Sequence, residues 1–306
     1  MTRTVLVGST GFVGGNLLAS HTFDAAYHST DVEKGFGQPN GLVVYAGVPA
    51  AMFLANQDPD ADLAVMERAR WNLQRLAPEK VVLVSSICVY ADSRGKTEAD
   101  EPVMEGLAPY GANRLQLERW VRADWPDALI VRLPALYGRG LKKNFLYDLH
   151  ALTPALLRPA KYAELAQKSG LVAGAYTDAG NGFYKLSGAA DPAALRAFFE
   201  AGWNAAHFTD SRSVYQFYDL SRLWGHLQRA LELDLRVLNL ATPPLSAARV
   251  HEAVTGRPFE NQLEAPPFDY DMRTLYAAGF GGAGGYLCTP EQELAGICAF
   301  MKGWES

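Results

Sequence analysis

Cysteine is scarce. The 306 residues hold three, Cys88, Cys288 and Cys298, widely separated. That is too few for a disulfide framework, and no C-x-x-C pair suggests a structural zinc site. The six histidines form no H-E-x-x-H or H-x-H grouping, so no metal is expected. Long apolar runs are absent too: no stretch of 18 predicts a membrane span. The opening Met-Thr-Arg-Thr-Val-Leu-Val-Gly lacks the basic region, apolar core and cleavage site of a signal peptide. A reducing, cytoplasmic location is the default expectation. Excess positive charge is also missing. Lys+Arg 28 against Asp+Glu 33 leaves a net charge of −5, which argues against nucleic acid or an anionic membrane as partner. Internal repeats and low-complexity tracts are not evident.

What is present is apolar and periodic. Hydrophobic residues make up 49% of a chain long enough for one large α/β domain or two lobes. Thr4–Val7, Leu42–Ala46, Lys80–Ser85 and Leu129–Leu133 read as buried strands, and Ala25–Ser29 as a weaker one. Phe12–Ser20, Asp60–Leu76 and Tyr110–Arg122 read as the helices between them, with Asp92–Pro109 as loop. A helix near Leu220–Leu231 followed by Leu238–Ala241 reads as one more unit returning to the same sheet. Alternating strands and helices predict a Rossmann-type, doubly wound parallel sheet with right-handed crossovers. The pattern changes after Lys142, where 162–168 and 192–201 look helical around Gly180-Asn181-Gly182, and a last helix is expected near 291–301. The expected division is a main α/β domain over 1–140 and about 210–242, with a smaller, discontinuous lobe over 141–209 and 243–306.

The first strand runs into Gly8-Ser9-Thr10-Gly11-Phe12-Val13-Gly14. Glycines let a backbone turn tightly and approach a pyrophosphate with no Cβ in the way. The helix behind them presents unpaired N–H groups and a positive dipole end to that anion. Gly14 would let the helix pack close to the strand. The strand–glycine–helix context favours NAD or NADP as cofactor; the alternative is a tight turn that binds nothing. An NAD enzyme usually places a carboxylate at the end of the second strand. Here Ser29 stands in that place and Asp31 follows two residues later, with Lys34 near. Asp31 either reaches the ribose or starts a turn, and the choice between NAD and NADP stays open.

The third strong strand continues as Ser86-Ile87-Cys88-Val89-Tyr90, and Pro109-Tyr110-Gly111-Ala112-Asn113-Arg114 follows. The strand, the paired serines and Val-Tyr at fixed spacing, with a later Y-x-x-x-R, resemble the extended short-chain dehydrogenase/reductases, in the NAD-dependent epimerase/dehydratase group. The resemblance spans Thr4 to about Ala241. It implies Tyr110 as acid/base, Ser86 as the hydroxyl that positions the reacting oxygen, and a cation four residues after the tyrosine, on the same helix face. A cation beside a tyrosine, with the nicotinamide charge, would lower its pKa from about 10. The family has lysine where this chain has Arg114. Arginine keeps the charge but relays no proton, and its fork is not an ammonium.

The resemblance also gives the end of the third strand, Ala46 and Gly47, to the cofactor. It makes Asn72 a residue that fixes the backbone near the site, and Arg212 a candidate for a substrate diphosphate, against the plainer reading of a solvated arginine. Ala135 replaces an asparagine that often contacts a nucleotide sugar. No Asp-Glu pair follows Ser86, as it does in many sugar dehydratases. The stretch from Asp31 to Gly41 is too short for the family's helix and strand, so an element is expected to be reduced or lost. The aromatics between 144 and 210 are read as packing, or else as a stacking surface for a base. Cys88 is read as a small core residue.

The resemblance thus implies hydride transfer between NAD(P) and a sugar carbon, with a nucleotide sugar as substrate, and a possible homodimer through helices 60–76 and 110–122. Two rivals remain: an NAD(P)-binding protein with little or no catalysis, and an NADPH-linked carbonyl reductase.

Overall fold

The computed structural model describes residues 3–188 and 190–304. They divide into two compact units. The first comprises Met1–Leu141, Val214–Leu245 and Phe268–Lys302, and the second Lys142–Ser213, Ser246–Pro267 and Gly303–Ser306.

In the first unit, β1 (Thr4–Val7), α1 (Phe12–Ser20), β2 (Ala25–Tyr27), β3 (Leu42–Tyr45), α2 (Met52–Gln57), α3 (Pro59–Leu76), β4 (Lys80–Ser86), α4 (Pro109–Asp124) and β5 (Leu129–Leu133) follow one another. A later strand, Val237–Asn239, joins the edge beside β5. The order across the sheet is Val237–Asn239, β5, β4, β3, β1, β2, all parallel. This is the doubly wound α/β sheet the sequence predicts.

The sheet forms because its strands alternate two apolar faces. Leu6, Val44, Val82, Leu129 and Val131 pack with Leu17 of α1 and with Leu223 and Leu227 of the helix Leu223–Glu232. Their neighbours Val5, Val7, Val43, Val81, Leu83 and Ile130 pack with Met66, Leu73 and Leu76 of α3 and Leu117 and Val121 of α4. Strands buried on both faces read as continuous apolar runs, which is why the sequence shows them plainly. Asp58 caps α3 by accepting the Ala61 N–H at 3.0 Å, and Pro59 occupies its first turn.

Some boundaries differ from expectation. β2 ends at Tyr27, two residues early, because His28 turns back within a loop closed by Asp31. Between Asp31 and Gly41 only a single turn of 3₁₀ helix forms, over Val32–Gly35. β2 therefore remains an edge strand, and the expected reduction is found there. The sequence reading missed α2 and the parallel pair Ala135–Tyr137 with Phe217–Asp219. Residues 268–302, including the helix Pro290–Lys302, lie within this first unit.

The second unit pairs Leu156–Leu157, Tyr184–Leu186 and Tyr176–Asp178 antiparallel. Gly180–Gly182 is the tip of that hairpin rather than a helix connection. Leu157, Leu165, Val172, Tyr176, Leu195 and Phe199 form its core. Tyr162 and Tyr184 stack on each other at 3.8 Å, so those aromatics serve packing. Among the described residues, no helix is long and apolar enough to cross a membrane.

Candidate active site

Parallel α/β sheets bind ligands beyond the carboxyl ends of their strands, where the order reverses. Here that point lies at β1, flanked by β2 and β3. Gly8 leaves β1 with φ +97°, and a Cβ on it would come within 2.5 Å of the Ala46 carbonyl group. Only glycine tolerates both conditions. The same contact sets Ala46 and Gly47 against the turn. The Gly8 and Ser9 N–H groups donate to the Tyr27 carbonyl at 2.7 and 3.0 Å, tying the turn to β2. A Cβ on Gly14 would stand 2.1 Å from the Gly8 carbonyl oxygen, so α1 packs directly on the turn.

Helix α1 opens on Gly11, and no side chain caps it. The first-turn N–H groups of Phe12, Val13 and Gly14 have no acceptor within the helix. Thr10 and Gly11 are exposed at the tip. A bare cap on a glycine cradle suits a dinucleotide pyrophosphate. The sequence reading missed Asn16, which is buried on α1. Its amide donates to the Phe12 and Arg139 carbonyls and accepts the Arg139 N–H at 3.0 Å, joining the turn to the chain after Tyr137.

Asp31 lies in the turn after β2. Its carboxylate accepts the His28 N–H at 2.8 Å and pairs with Lys34 at 3.3 Å. Ser29 is exposed in that turn.

Ser86 ends β4. Its hydroxyl accepts the Cys88 N–H at 3.2 Å, capping the 3₁₀ turn Ile87–Val89. The preceding serine faces the other way: Ser85 donates to Glu118 at 2.5 Å. Glu118 in turn holds Arg132, with contacts down to 2.7 Å, and Arg132 donates to the Tyr90 hydroxyl at 2.6 Å. All of this is sealed between the sheet and α4, so Arg132 is structural.

Tyr110 sits on the first turn of α4, 7% exposed. Gly111 brings it there, because a Cβ on Gly111 would stand 2.1 Å from the Cys88 carbonyl oxygen. Nothing in the local pattern marks Gly111 as a contact residue. The Tyr110 N–H donates to Asn56 of α2 at 2.9 Å. Burial pushes the phenol above its ordinary pKa; the Arg114 charge and hydrogen bonding from Ser86 and Arg114 pull the other way without overcoming it. Desolvation, which penalises the phenolate, thus outweighs the lowering by Arg114. Burial likewise raises the Cys88 thiol, which stays protonated.

Arg114 does not reach out like a lysine. Its guanidinium lies 3.8 Å over the Tyr110 ring. One nitrogen pairs with Asp62 of α3, and another donates to the Pro49 carbonyl at 2.7 Å. Asn113 donates to Asp62 at 2.9 Å. Asp62 gave no signal in the sequence, where it reads as one of two first-turn acids on α3. Asn72 is buried and donates to the Tyr45 hydroxyl at 3.2 Å, so it fixes a side chain of β3 rather than backbone.

In the second unit, Arg212 forks onto Asp210 at 2.9 and 2.7 Å, with its side chain 48% exposed. Asp210 also accepts the Leu263 N–H at 2.8 Å, and these donors hold its carboxyl far below the usual range. Arg212 thus already has a counterion.

The family described as "RmlD substrate binding domain" matches residues 2–155, half of the chain. Among solved structures, the chain is similar to dTDP-4-dehydrorhamnose reductase from Yersinia enterocolitica, at 12% identity and TM-score 0.64, covering 98% of this chain and 100% of that one. It is similar to UDP-glucose 4-epimerase from Thermotoga maritima, solved with UDP-glucose, at 12% identity and TM-score 0.62, covering 98% and 99%. It is also similar to the dTDP-4-dehydrorhamnose reductase of Bacillus anthracis in complex with NADP, at 13% identity and TM-score 0.62, covering 100% of both chains. At such identities these likenesses show the fold. A search of curated proteins finds no match.

Proposed function

The chain belongs to the RmlD substrate binding domain family, and from that premise we propose that it is an NAD(P)-dependent oxidoreductase acting on a nucleotide sugar. The neighbours of like fold are nucleotide-sugar reductases and epimerases, one of them holding NADP. The Gly8–Gly14 turn, with the bare first turn of α1, would hold the pyrophosphate, and Ala46 and Gly47 would line the same crevice. When bound, the nicotinamide supplies or accepts a hydride.

The observation that carries the reading is the close packing of Gly111 on the Cys88 carbonyl, which sets the Tyr110 phenol beside Ser86 at the carboxyl end of β4. In this reading Ser86 donates a hydrogen bond to the substrate oxygen, and Tyr110 transfers its phenolic proton to that oxygen as it gains charge. Burial keeps the phenol protonated at neutral pH, the form that carbonyl reduction requires. In that reaction one hydride and the Tyr110 proton convert a keto sugar to its alcohol.

A second reading, cofactor binding with little turnover, is favoured by one observation: Arg114 is engaged by Asp62 and Pro49. One experiment separates the two. Calorimetry with NADH and NADPH measures binding, and cofactor oxidation is then followed with dTDP- and UDP-linked 4-keto sugars and with simple ketones, in the natural chain and in Tyr110→Phe. Turnover with a nucleotide sugar that falls at least a hundredfold in Tyr110→Phe supports the enzyme. Tight binding with no Tyr110-dependent turnover overturns it. Oxidation with simple ketones alone points to a general carbonyl reductase.

A further inference from the structure

Resting on the reading of Tyr110 as the proton-transfer group, we propose that Asp62 is a positioning residue: by pairing with Arg114 it offsets the guanidinium charge over the Tyr110 ring, and so keeps the phenol protonated. Family-type chemistry would use a free cation to make that phenol more acidic. This chain has a bound one.

The geometry is specific. Arg114 and Asp62 are both largely withdrawn from water, at 5% and 10% side-chain exposure. The guanidinium is fixed on three sides. Asp62 of α3 holds one nitrogen, the Pro49 carbonyl holds another at 2.7 Å, and the Tyr110 ring lies beneath at 3.8 Å. Its first nitrogen also donates to the Tyr110 carbonyl at 3.3 Å, and Asn113 steadies the same Asp62 oxygen at 2.9 Å. With so many anchors, the cation stays over the ring when only the carboxylate charge is removed.

Charge away from water is weakly screened, so an ion pair presents a much smaller field to the ring than a lone guanidinium. The groups bearing on the phenol are Ser86 from β4, Cys88 from the following turn and Arg114 from α4 itself. Tyr270, from the 268–302 stretch of the same unit, packs against the same apolar cluster as Cys88, and a Cys88 thiolate would raise its pKa. Asp62 acts from α3 through Arg114. The Cys88 thiol can gain charge at alkaline pH and bears on the phenol, so the test controls for it.

The experiment labels tyrosine at Cζ with ¹³C in the full chain and follows the Tyr110 phenolate fraction between pH 8 and 11, assigned by its loss in Tyr110→Phe. Every measurement is repeated with Cys88→Ser. Asp62→Asn keeps the shape and the hydrogen-bond acceptor but removes the charge. It should lower the Tyr110 midpoint by about one pH unit, giving roughly tenfold more phenolate at a given pH below the midpoint. Asp62→Glu, which restores the charge, should titrate close to the natural chain. Arg114→Gln should shift the midpoint up, because it removes the cation over the ring and leaves the Asp62 charge unbalanced.

An unchanged or raised midpoint in Asp62→Asn overturns the proposal, and so does an unchanged or lowered midpoint in Arg114→Gln. Should Asp62→Asn fail to fold, Arg114→Gln alone decides, because an unmoved phenol in that variant refutes the coupling. The readout needs no turnover. A shift in a chain that turns over no substrate supports the coupling and counts against the catalytic reading alone.

Discussion

The Gly111 backbone lies so close to Cys88 that a methyl group on it would stand 2.1 Å from the Cys88 carbonyl oxygen. That contact couples the end of β4 to the first turn of α4, and with it Ser86 to Tyr110. Gly111→Ala should push the two elements apart. We expect a stability loss of about 1–3 kcal/mol by denaturant unfolding. Any Tyr110-dependent turnover should fall by about a hundredfold, since small displacements are costly in proton transfer. Unchanged turnover in a folded variant would remove this contact from the account.

The bare cap of α1 makes an opposing test. Gly11 carries extended backbone angles, φ −76° and ψ 168°, which an aspartate adopts. Gly11→Asp would place a carboxylate on the first-turn N–H groups and beside the incoming phosphates. Affinity for NADH and NADPH should drop at least tenfold in calorimetry. Equal affinity would place the cofactor elsewhere.

Glu293 is a buried carboxyl, 3% exposed, on the last helix of the first unit, where it accepts the Cys288 thiol at 3.3 Å. Burial pushes its pKa up to about 7 from an ordinary 4.5. The folded chain therefore holds this proton more tightly than the unfolded chain does. Its contribution to stability is greatest below pH 4.5 and is lost as the pH rises to 7, by about 3 kcal/mol in all. Asp148, also raised to about 7, adds a slope of the same sign, and His226, lowered to about 4, adds one of the opposite sign. The difference between variants isolates Glu293. Glu293→Gln should gain on the natural chain steadily between pH 5 and 7 in urea unfolding, and level off above that. A constant difference across that range would refute the assignment.

Arg132 is wholly buried, and its guanidinium is shared between Glu118 and the Tyr90 hydroxyl. Arg132→Met would leave the buried Glu118 carboxylate with only the more distant Arg122, at 3.9 Å, as its cation. Breaking such a pair costs about 3–5 kcal/mol, which chemical denaturation will resolve. Loss of less than 1 kcal/mol would show that water reaches Glu118.

The sequence alone determined the sheet, its helices and the glycine turn. Val5, Leu6 and Val7, or Val81, Val82 and Leu83, announce strands because both faces must leave water, and that requirement is written locally. The turn from Gly8 to Gly14 was equally legible, since only glycine allows the backbone angle at Gly8 and the close approaches at Gly8 and Gly14. The tertiary structure decided which partner each polar group took. It set Ser85 on Glu118 and Ser86 toward Tyr110, closed Asp31 onto its own turn and gave Arg212 to Asp210. It also joined Arg114 to Asp62, fifty-two positions earlier in the chain. Burial recurs with the period of a helix or strand and so leaves a trace in the residue order. The match of one charge to another depends on which surfaces meet, and no local pattern records it.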